Sequence, residues 1–538
     1  MAAWSAFSLM ERTLVESIYT DPDQNTTPAI PNSLQNLPGF PFVAWTNQSA
    51  VYTNWNKWYF GVPLKETTYD KASKTDIEKY PLHINPLKKT CERHASVLLG
   101  TSLDSIHYGG IPVVPFPRPE NRNKEVSKTI KKALIKVWED NGGGALMLTN
   151  ALVSQRLGGC VFQLAWDSDL KRIRISNPTP DQFIGIPDGP DLWNLKEAWI
   201  IKVISYIQAL SYGVAVDEQN AYHYYVEHWT RKEFEITIDG QPIKMTGYPS
   251  KGRNKWGFVP MVYIPHIRVG TSLYGRSIIN ESVEGIIYEL NLRWADLGDA
   301  VSDDAHAITA VRNVRGGLST IKLGDWHPFI NLGSQTGLGN EGNPDMITVA
   351  TSSASAPMLT LGDRLWNLYR RETDHPAVAD GEDEGSQRSS LTLVTRMWPL
   401  VSHVENERVN WSIGLTKFSN MLLKVMMDKG INGITKEHVD CPLTMKWASM
   451  LPKDRKEVVD EVGIREKNHL GTRAHLIEML GDTADADEEA ADVLAEMEKE
   501  AKIAAMAKPA PAPASKPSGA KSDTTKGDKT TKPDNKMM

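Results

Sequence analysis

The chain has 538 residues, of which 41% are hydrophobic and 23% charged, with a net charge of −6. This is the composition of a soluble globular protein, and the length calls for about two to four subdomains. The acidic balance excludes a basic protein that grips nucleic-acid phosphates tightly, and three widely spaced cysteines, Cys91, Cys160 and Cys441, exclude a thiol-ligated zinc centre and read as buried thiols of a reducing compartment.

Residues 1–50 are rich in Pro, Asn, Gln and Thr and are expected to wrap over a surface. No basic segment followed by an apolar run opens the chain, and no run is long enough to span a bilayer, so neither a signal peptide nor a membrane span is expected. Asp21, Asp23 and Asn25 begin a calcium-loop pattern, but the glycine and closing glutamate are missing. Val51–Gly61 is rich in aromatic residues. Ile84–Gly100 reads as a helix, with Asn85 as cap, Pro86 at the first position and Gly100 at the end. Asn123–Asp140 reads as a second helix. Its lysines Lys124, Lys128, Lys131, Lys132 and Lys136 are better read as a solvated face than as a phosphate patch. A third helix follows Asn141–Gly144.

Strands then take over. Cys160–Trp166 and Arg172–Ile175 alternate around a turn at Asp167–Asp169. Ala198–Ile204, Tyr222–Trp229, Glu233–Ile238 and Val262–His266 follow, with Asp239-Gly240 as a hairpin signal. The block is α+β with an antiparallel sheet.

Ser277–Asp304 reads as one long amphipathic helix of roughly 40 Å. Its apolar stripe is Ile279, Val283, Ile286, Leu290, Trp294, Leu297 and Val301, at spacings of three and four. Residues 305–355 turn Gly-, Asn- and Ser-rich, with short strands at Ala307–Val314 and Ile347–Ala350, which suits a compact knob. Residues 356–373 return as a helix with Leu361, Leu365 and Leu368 on one side. Asp374–Arg388 combines Pro376, Gly381 and Gly385 with the acids Asp380, Glu382, Asp383 and Glu384, the composition of a mobile, solvated loop. Leu391–Asp428 is a third long helix, in which Pro399 marks a kink or the true start. A short strand at Leu443–Trp447 precedes a charged helical segment, 453–506, broken at Gly471 and Gly481. The end from Ala507 is a Lys- and Pro-rich, low-complexity tail.

No GxxxxGK[ST], HExxH or GxSxG occurs. The thirteen histidines are scattered, and pairs can be drawn anywhere among 66 acidic residues. No catalytic residue, cofactor or metal is expected.

The order of parts resembles the portal protein of tailed bacteriophages. An α+β block gives way to a helix going out, a knob, a helix coming back, a loop, another long helix and a helical end. Ile84-Asn-Pro-Leu-Lys-Lys is similar to the family's early helix. Gly158-Gly-Cys-Val-Phe-Gln-Leu-Ala-Trp-Asp167, with Pro178, is similar to its first wing strands. Gly257-Phe-Val-Pro260 followed by Tyr274-Gly275-Arg-Ser-Ile-Ile resembles the entry to its first stem helix. Leu451-Pro452-Lys-Asp with Leu470-Gly471-Thr472 resembles the start of its crown. A departure lies at Ser386–Leu391, where many relatives carry a Ser-Gly pair.

The resemblance implies an N-terminal arm at 1–50, a wing at 51–276, a first stem helix at 277–304, a clip at 305–355 and a second stem helix at 356–373. A tunnel loop at 374–388, a long helix with wing return at 389–450, a helical crown at 451–506 and a tail at 507–538 complete it. It implies a ring of about twelve subunits at one capsid vertex. The ring nucleates assembly with the major capsid and scaffolding proteins, docks the large terminase subunit, conducts double-stranded DNA without sequence specificity and holds the head–tail adaptor. Twelve stem helices about 10 Å apart form a circle roughly 38 Å across, with a bore of about 28 Å. That admits a duplex about 20 Å wide. On this reading Asp380, Glu382, Asp383 and Glu384 repel phosphates in the channel, and Arg388 is a local phosphate contact. The stem stripe packs on the returning helix and on the neighbouring subunit, and Trp326 and Phe329 are clip contacts or knob core. The alternatives are another ring-forming connector or adaptor, and a motif-poor capsid-associated enzyme.

Overall fold

The computed structural model describes residues 40–61, 66–70, 75–79, 84–100, 117–121, 123–216, 222–244, 249–305, 308–312, 329–331, 345–349, 355–382, 390–447, 450, 455–480 and 486–506. The chain forms two compact units, 1–457 and 458–538.

The first unit opens with α1 (Phe42–Phe60), which takes up the end of the expected surface arm. The aromatic segment is its second half. Tyr52 and Tyr59 are buried and Trp55 half-buried on one helical face, a periodicity of three and four residues that the richness in aromatics had masked. An unforeseen hairpin, β1 (Glu66–Asp70) with β2 (Thr75–Lys79), follows. Helix α2 (Leu87–Leu99) starts just after Pro86. Pro86 therefore stands at the cap position, one residue later than the expected Asn85, whose Oδ1 still accepts the Leu87 N–H. After β3 (Arg118–Pro119), α3 (Lys124–Asp140) is capped by Asn123, whose side chain accepts from Glu125 N. Lys124, Lys128, Lys132 and Lys136 are exposed and Lys131 half-buried, while Val126, Ile130, Leu134, Val137 and Trp138 face the core. Helix α4 (Gly143–Leu157) follows.

Two sheets form the middle. β4 (Gly159–Asp167) lies between β5 (Arg172–Ser176) and β12 (Met261–Pro265), antiparallel to both. Its first six residues are all buried, because both faces are covered. The second sheet runs β6 (Phe183–Asp188), β7 (Asp191–Ser205), then, after a short helix α5 (Tyr206–Ser211), β8 (Tyr222–Thr230), β9 (Glu233–Ile238) and β10 (Gln241–Pro242), with β11 (Lys251–Arg253) also on β9. β7 begins well before the expected Ala198, because its first half is largely solvent-facing and lacks an apolar run. Asp239 and Gly240 both have positive φ, 48° and 80°, as a two-residue primed turn requires. A small ribbon, β13 (Ile267–Arg268) with β14 (Gly275–Arg276), closes the block.

The long helix α6 (Glu281–Ala305) leaves from there. It starts later than the apolar stripe because Asn280 Oδ1 accepts the Val283 N–H and ends the preceding extended segment. Beyond it, β15 (Ile308–Arg312) pairs parallel with β16 (Phe329–Asn331) and antiparallel with β17 (Asp345–Val349). β16 was not foreseen; three residues carry too little pattern. Helix α7 (Ser355–Glu372) returns and packs on α6. After a 3-10 turn at Ala377–Asp380 comes α8 (Ser390–Lys429), which runs unbroken through Pro399, so that residue does not mark its start. A short α9 (Lys436–Val439) and β18 (Leu443–Thr444), the latter paired with β3, follow. Its main core is knotted by four rings from three elements, Trp138, Phe162, Trp411 and Phe418, with centroids 5.4–6.1 Å apart. All three cysteines are free and buried. Among the described residues no helix is long and apolar enough to cross a membrane.

The second unit is helical. It comprises most of α10 (Arg455–Lys467), α11 (Arg473–Leu480) and α12 (Ala486–Met506), with α11 packed on α12. The expected break at Gly471 falls between α10 and α11, and Gly481 lies outside the described residues. The Lys- and Pro-rich tail lies outside the described residues.

Candidate functional site

The site is the helix pair α6/α7, the joint it leaves from and the turn it ends in. Tyr369, near the C-terminus of α7, packs with Ile279, Val283, Ile286 and Ile287 at the start of α6, so the pair is antiparallel. Tyr59, Leu87 and Cys91 complete that cluster and anchor the pair in the α+β block. Tyr369 Oη lies 2.7 Å from Thr90 Oγ1, satisfying two buried hydroxyls. Asn291 does the same for backbone. Its amide takes the Ile84 N–H at 2.6 Å and donates to the carbonyls of Ile84 and Ile287.

The apolar stripe divides in two. Ile279, Val283, Ile286 and Leu290 are buried. Trp294 and Leu297 are only half-buried, and Val301 is 54% exposed. On α7, Leu359, Leu361 and Leu368 are exposed and Leu365 half-buried. Among the described residues the pair therefore carries apolar side chains, toward its far part above all, that are only partly covered.

The joint rests on two glycines. Gly158 ends α4 with φ +70°, and a Cβ there would stand 2.5 Å from Gly275 O. Ser277 Oγ donates into the open carbonyls at the end of α4, those of Gln155 and Arg156, and accepts the Ile279 N–H. His266 N–H donates to Gly158 O at 2.9 Å. The two short stretches that carry the portal resemblance, at Gly158 and at Tyr274-Gly275, thus touch.

The turn after α7 faces water at its acidic end, as expected, where Asp380, Gly381 and Glu382 are exposed, but not at its start. Thr373 and His375 are buried. His375 Nε2 is 3.1 Å from Asp380, and Glu382 pairs with Arg370 at 2.5 Å, so two of the four singled-out acids are tied to the fold. Asp383, Glu384, Arg388 and Trp326 lie outside the described residues. Phe329 opens β16, opposite Thr309.

Histidines far apart in sequence meet under this turn. His94 stacks on His375 with ring centroids 5.8 Å apart and meets His403 edge-on at 5.1 Å. His403 Nε2 is 3.1 Å from His266 Nε2, its Nδ1 is 3.0 Å from Asp374 Oδ2, and His266 Nδ1 is 2.8 Å from Arg276 O. Burial, reinforced by the other three rings, holds the His94 pKa well below the usual histidine value, and burial pushes His266 down to about 3. Beside them Glu407 is fully buried. Gln155, Ser154 and Trp411 donate to it, but burial outweighs these bonds and pushes its pKa up to about 8. No spacing pattern reveals this cluster, because its members come from α2, the β12–β13 corner, the turn and α8. Among the described residues no group of His, Cys, Asp or Glu has metal-binding geometry.

The arrangement offers apolar packing and a fastened turn. Residues 157–503 match the family described as phage portal protein, SPP1 Gp6-like. No curated protein matches the chain. The match takes in the joint, both helices of the pair, the turn and α8, and with it the chain belongs to the SPP1 Gp6-like phage portal protein family, structural components of the phage capsid.

Proposed function

We propose that the chain is the subunit of a ring, of about twelve copies, at one capsid vertex, through which double-stranded DNA enters and leaves. The observation that supports this beyond family membership is the incompletely covered far half of the α6 stripe, where Trp294 and Leu297 are half-buried and Val301 is exposed. A neighbouring copy of the same helix pair would cover it. In this reading 51–276 is the wing, α6 and α7 are the stem, 305–355 is the clip, 374–388 the channel loop, 389–450 the long helix with wing return and 451–506 the crown. Trp326 and Phe329 in the clip contact a neighbouring subunit or the large terminase subunit. The ring nucleates assembly with capsid and scaffolding proteins and later holds the head–tail adaptor.

Light scattering and negative-stain imaging of the purified protein test the ring. Rings with a central hole are expected for the wild type, with scaffold and capsid protein added if needed. Trp294→Asp should leave the subunit folded, since the ring is only half-buried, but abolish rings. Desolvating a charge in an apolar interface costs several kcal/mol per copy. Normal rings from that variant would remove the claim.

The acids divide in role. Asp380 and Glu382 hold the turn, leaving Asp383 and Glu384 to repel phosphates, with Arg388 as a phosphate contact. Neutralising Asp383 and Glu384 as amides should alter genome packaging or retention with an unchanged melting temperature. Neutralising Asp380 and Glu382 should lower stability by about 0.2–1 kcal/mol, the scale of partly exposed ion pairs. Filled particles of normal yield and stability from the quadruple variant would exclude the role.

A further inference from the structure

We propose that His266 and His403 form a latch, closed by one extra proton, that fastens the turn after α7 to α8, and that the turn is released when His403 loses that proton. The count of hydrogens carries it. Three contacts run in a row, Arg276 carbonyl to His266, His266 to His403, and His403 to Asp374, at 2.8, 3.1 and 3.0 Å. Each joins two atoms that are lone-pair acceptors unless a proton lies between them, so the row needs three protons. Two neutral imidazoles carry two. In either tautomer of either ring, a neutral pair leaves at least one contact as two lone pairs face to face. The row closes only if the pair carries a third proton and a positive charge.

That charge belongs on His403. His266 is fully buried, and the carboxyl nearest it, Glu407 at 3.7 Å, is itself held largely neutral by burial, whereas His403 faces the Asp374 carboxylate, which is half-exposed and solvated. Asp374 is itself held in the left-handed region, φ 51°, at the bend where α7 gives way to the turn. An imidazolium thus pins the bend to α8 by a charge-assisted bond and pins α8 to the β12–β13 corner through His266.

The surrounding charges leave this pair as the switch. From α2, His94 faces His403 and stays neutral through burial; Cys91 is pushed up to about 12 and is an uncharged thiol. From α7, Arg370 is engaged by Glu382, and the Tyr369 phenol is raised by burial. Within the turn, His375 faces Asp380. From α8, Glu407 lies 3.7 Å from His266 and is largely neutral at pH 7, and Arg408 donates to the Leu98 and Val97 carbonyls. Arg276, on β14, opposes a charge on His266. Loss of the His403 proton then leaves Asp374 without its charged partner, and the closed row cannot persist. The direction follows from the proton count: added acid fastens the turn and its removal releases it. If 374–388 is the channel loop, as proposed above, the latch sets how firmly its foot is held; that consequence rests on the portal reading, the latch itself does not.

Hydrogen exchange on the full chain, without DNA, between about pH 6 and about pH 9 tests it, within and just above the histidine range. The readout is the protection of the His375, Ala379, Gly381 and Glu382 amides, each hydrogen-bonded within the turn or to the end of α7, after correction for intrinsic rates. Wild-type protection should fall by about tenfold or more as pH rises, the scale of one charge-assisted hydrogen bond, while β4 stays protected. His403→Gln, neutral at every pH, should remove the dependence. Asp374→Asn should do the same, and asparagine accepts the left-handed backbone there, so this variant decides if His403→Gln folds poorly. A flat wild-type profile, a slope that survives in Asp374→Asn, which would assign it to Glu407, or parallel loss of protection in β4 overturns the latch. Failure to form rings would overturn the portal reading and leave this result untouched.

Discussion

Gly158→Val is expected to destabilise the first unit by several kcal/mol, and the reciprocal Gly275→Val by a similar amount, measured as a lowered urea midpoint at unchanged slope. Gly158 stands at φ +70°, which costs an L-residue roughly 1–2 kcal/mol and a β-branched one more. Its new Cβ would meet the Gly275 carbonyl oxygen and carbon and the Ser277 nitrogen, all within 3.0 Å. These are backbone atoms that have no rotamer to escape into, so overpacking adds about 1–3 kcal/mol. Any shift that relieves the clash breaks the bonds tying α4 to the start of α6: His266 N–H to Gly158 O, Ile278 N–H to Gln155 O, and Ser277 Oγ to Gln155 and Arg156. Each is worth about 1 kcal/mol. The joint also aims α6, so a variant that still folds should form fewer or misshapen rings. An unchanged midpoint would mean that the two chain segments do not approach this closely.

Phe418→Ala should cost about 3–5 kcal/mol, the range for removing a fully buried aromatic ring. Phe418 is fully buried against Trp138 and Phe162, with centroids 6.0 and 5.4 Å away, and so holds α8 to both α3 and β4. Neither partner can follow into the space, because each is held by its own backbone element. Ile413, on the same helix but 44% exposed, is the internal control. Ile413→Ala should change stability by no more than about 0.5 kcal/mol. Equal effects at the two positions would show that the packed face of α8 is wrongly assigned.

Both predictions concern residues whose type was visible and whose partners were not. Periodicity exposed the long helices: the stretch expected at 277–304 is helical from 281 to 305, and that expected at 391–428 from 390 to 429. Long amphipathic repeats average out local noise. Short elements escaped for the opposite reason, β16 and the β1–β2 hairpin among them. The acidic run at 380–384 read as water-facing because composition reports solvation and not pairing. Arg370 and His375 pair with two of its members, which stay exposed.

The sequence by itself determined the α+β class, the order of helices and strands, the hairpin at Asp239-Gly240 and the apolar stripe on α6, all of which follow from contacts between residues near in the chain. It also carried enough of the family's order of parts to be read as a portal protein. Only the tertiary structure decided that Gly158 and Gly275 meet, that His94, His266, His375 and His403 gather at one turn, and that the stripe is buried at one end and increasingly exposed at the other. Those facts depend on contacts between segments distant in the chain. Burial, desolvation and the sharing of a proton are properties of such contacts, and no local pattern encodes them.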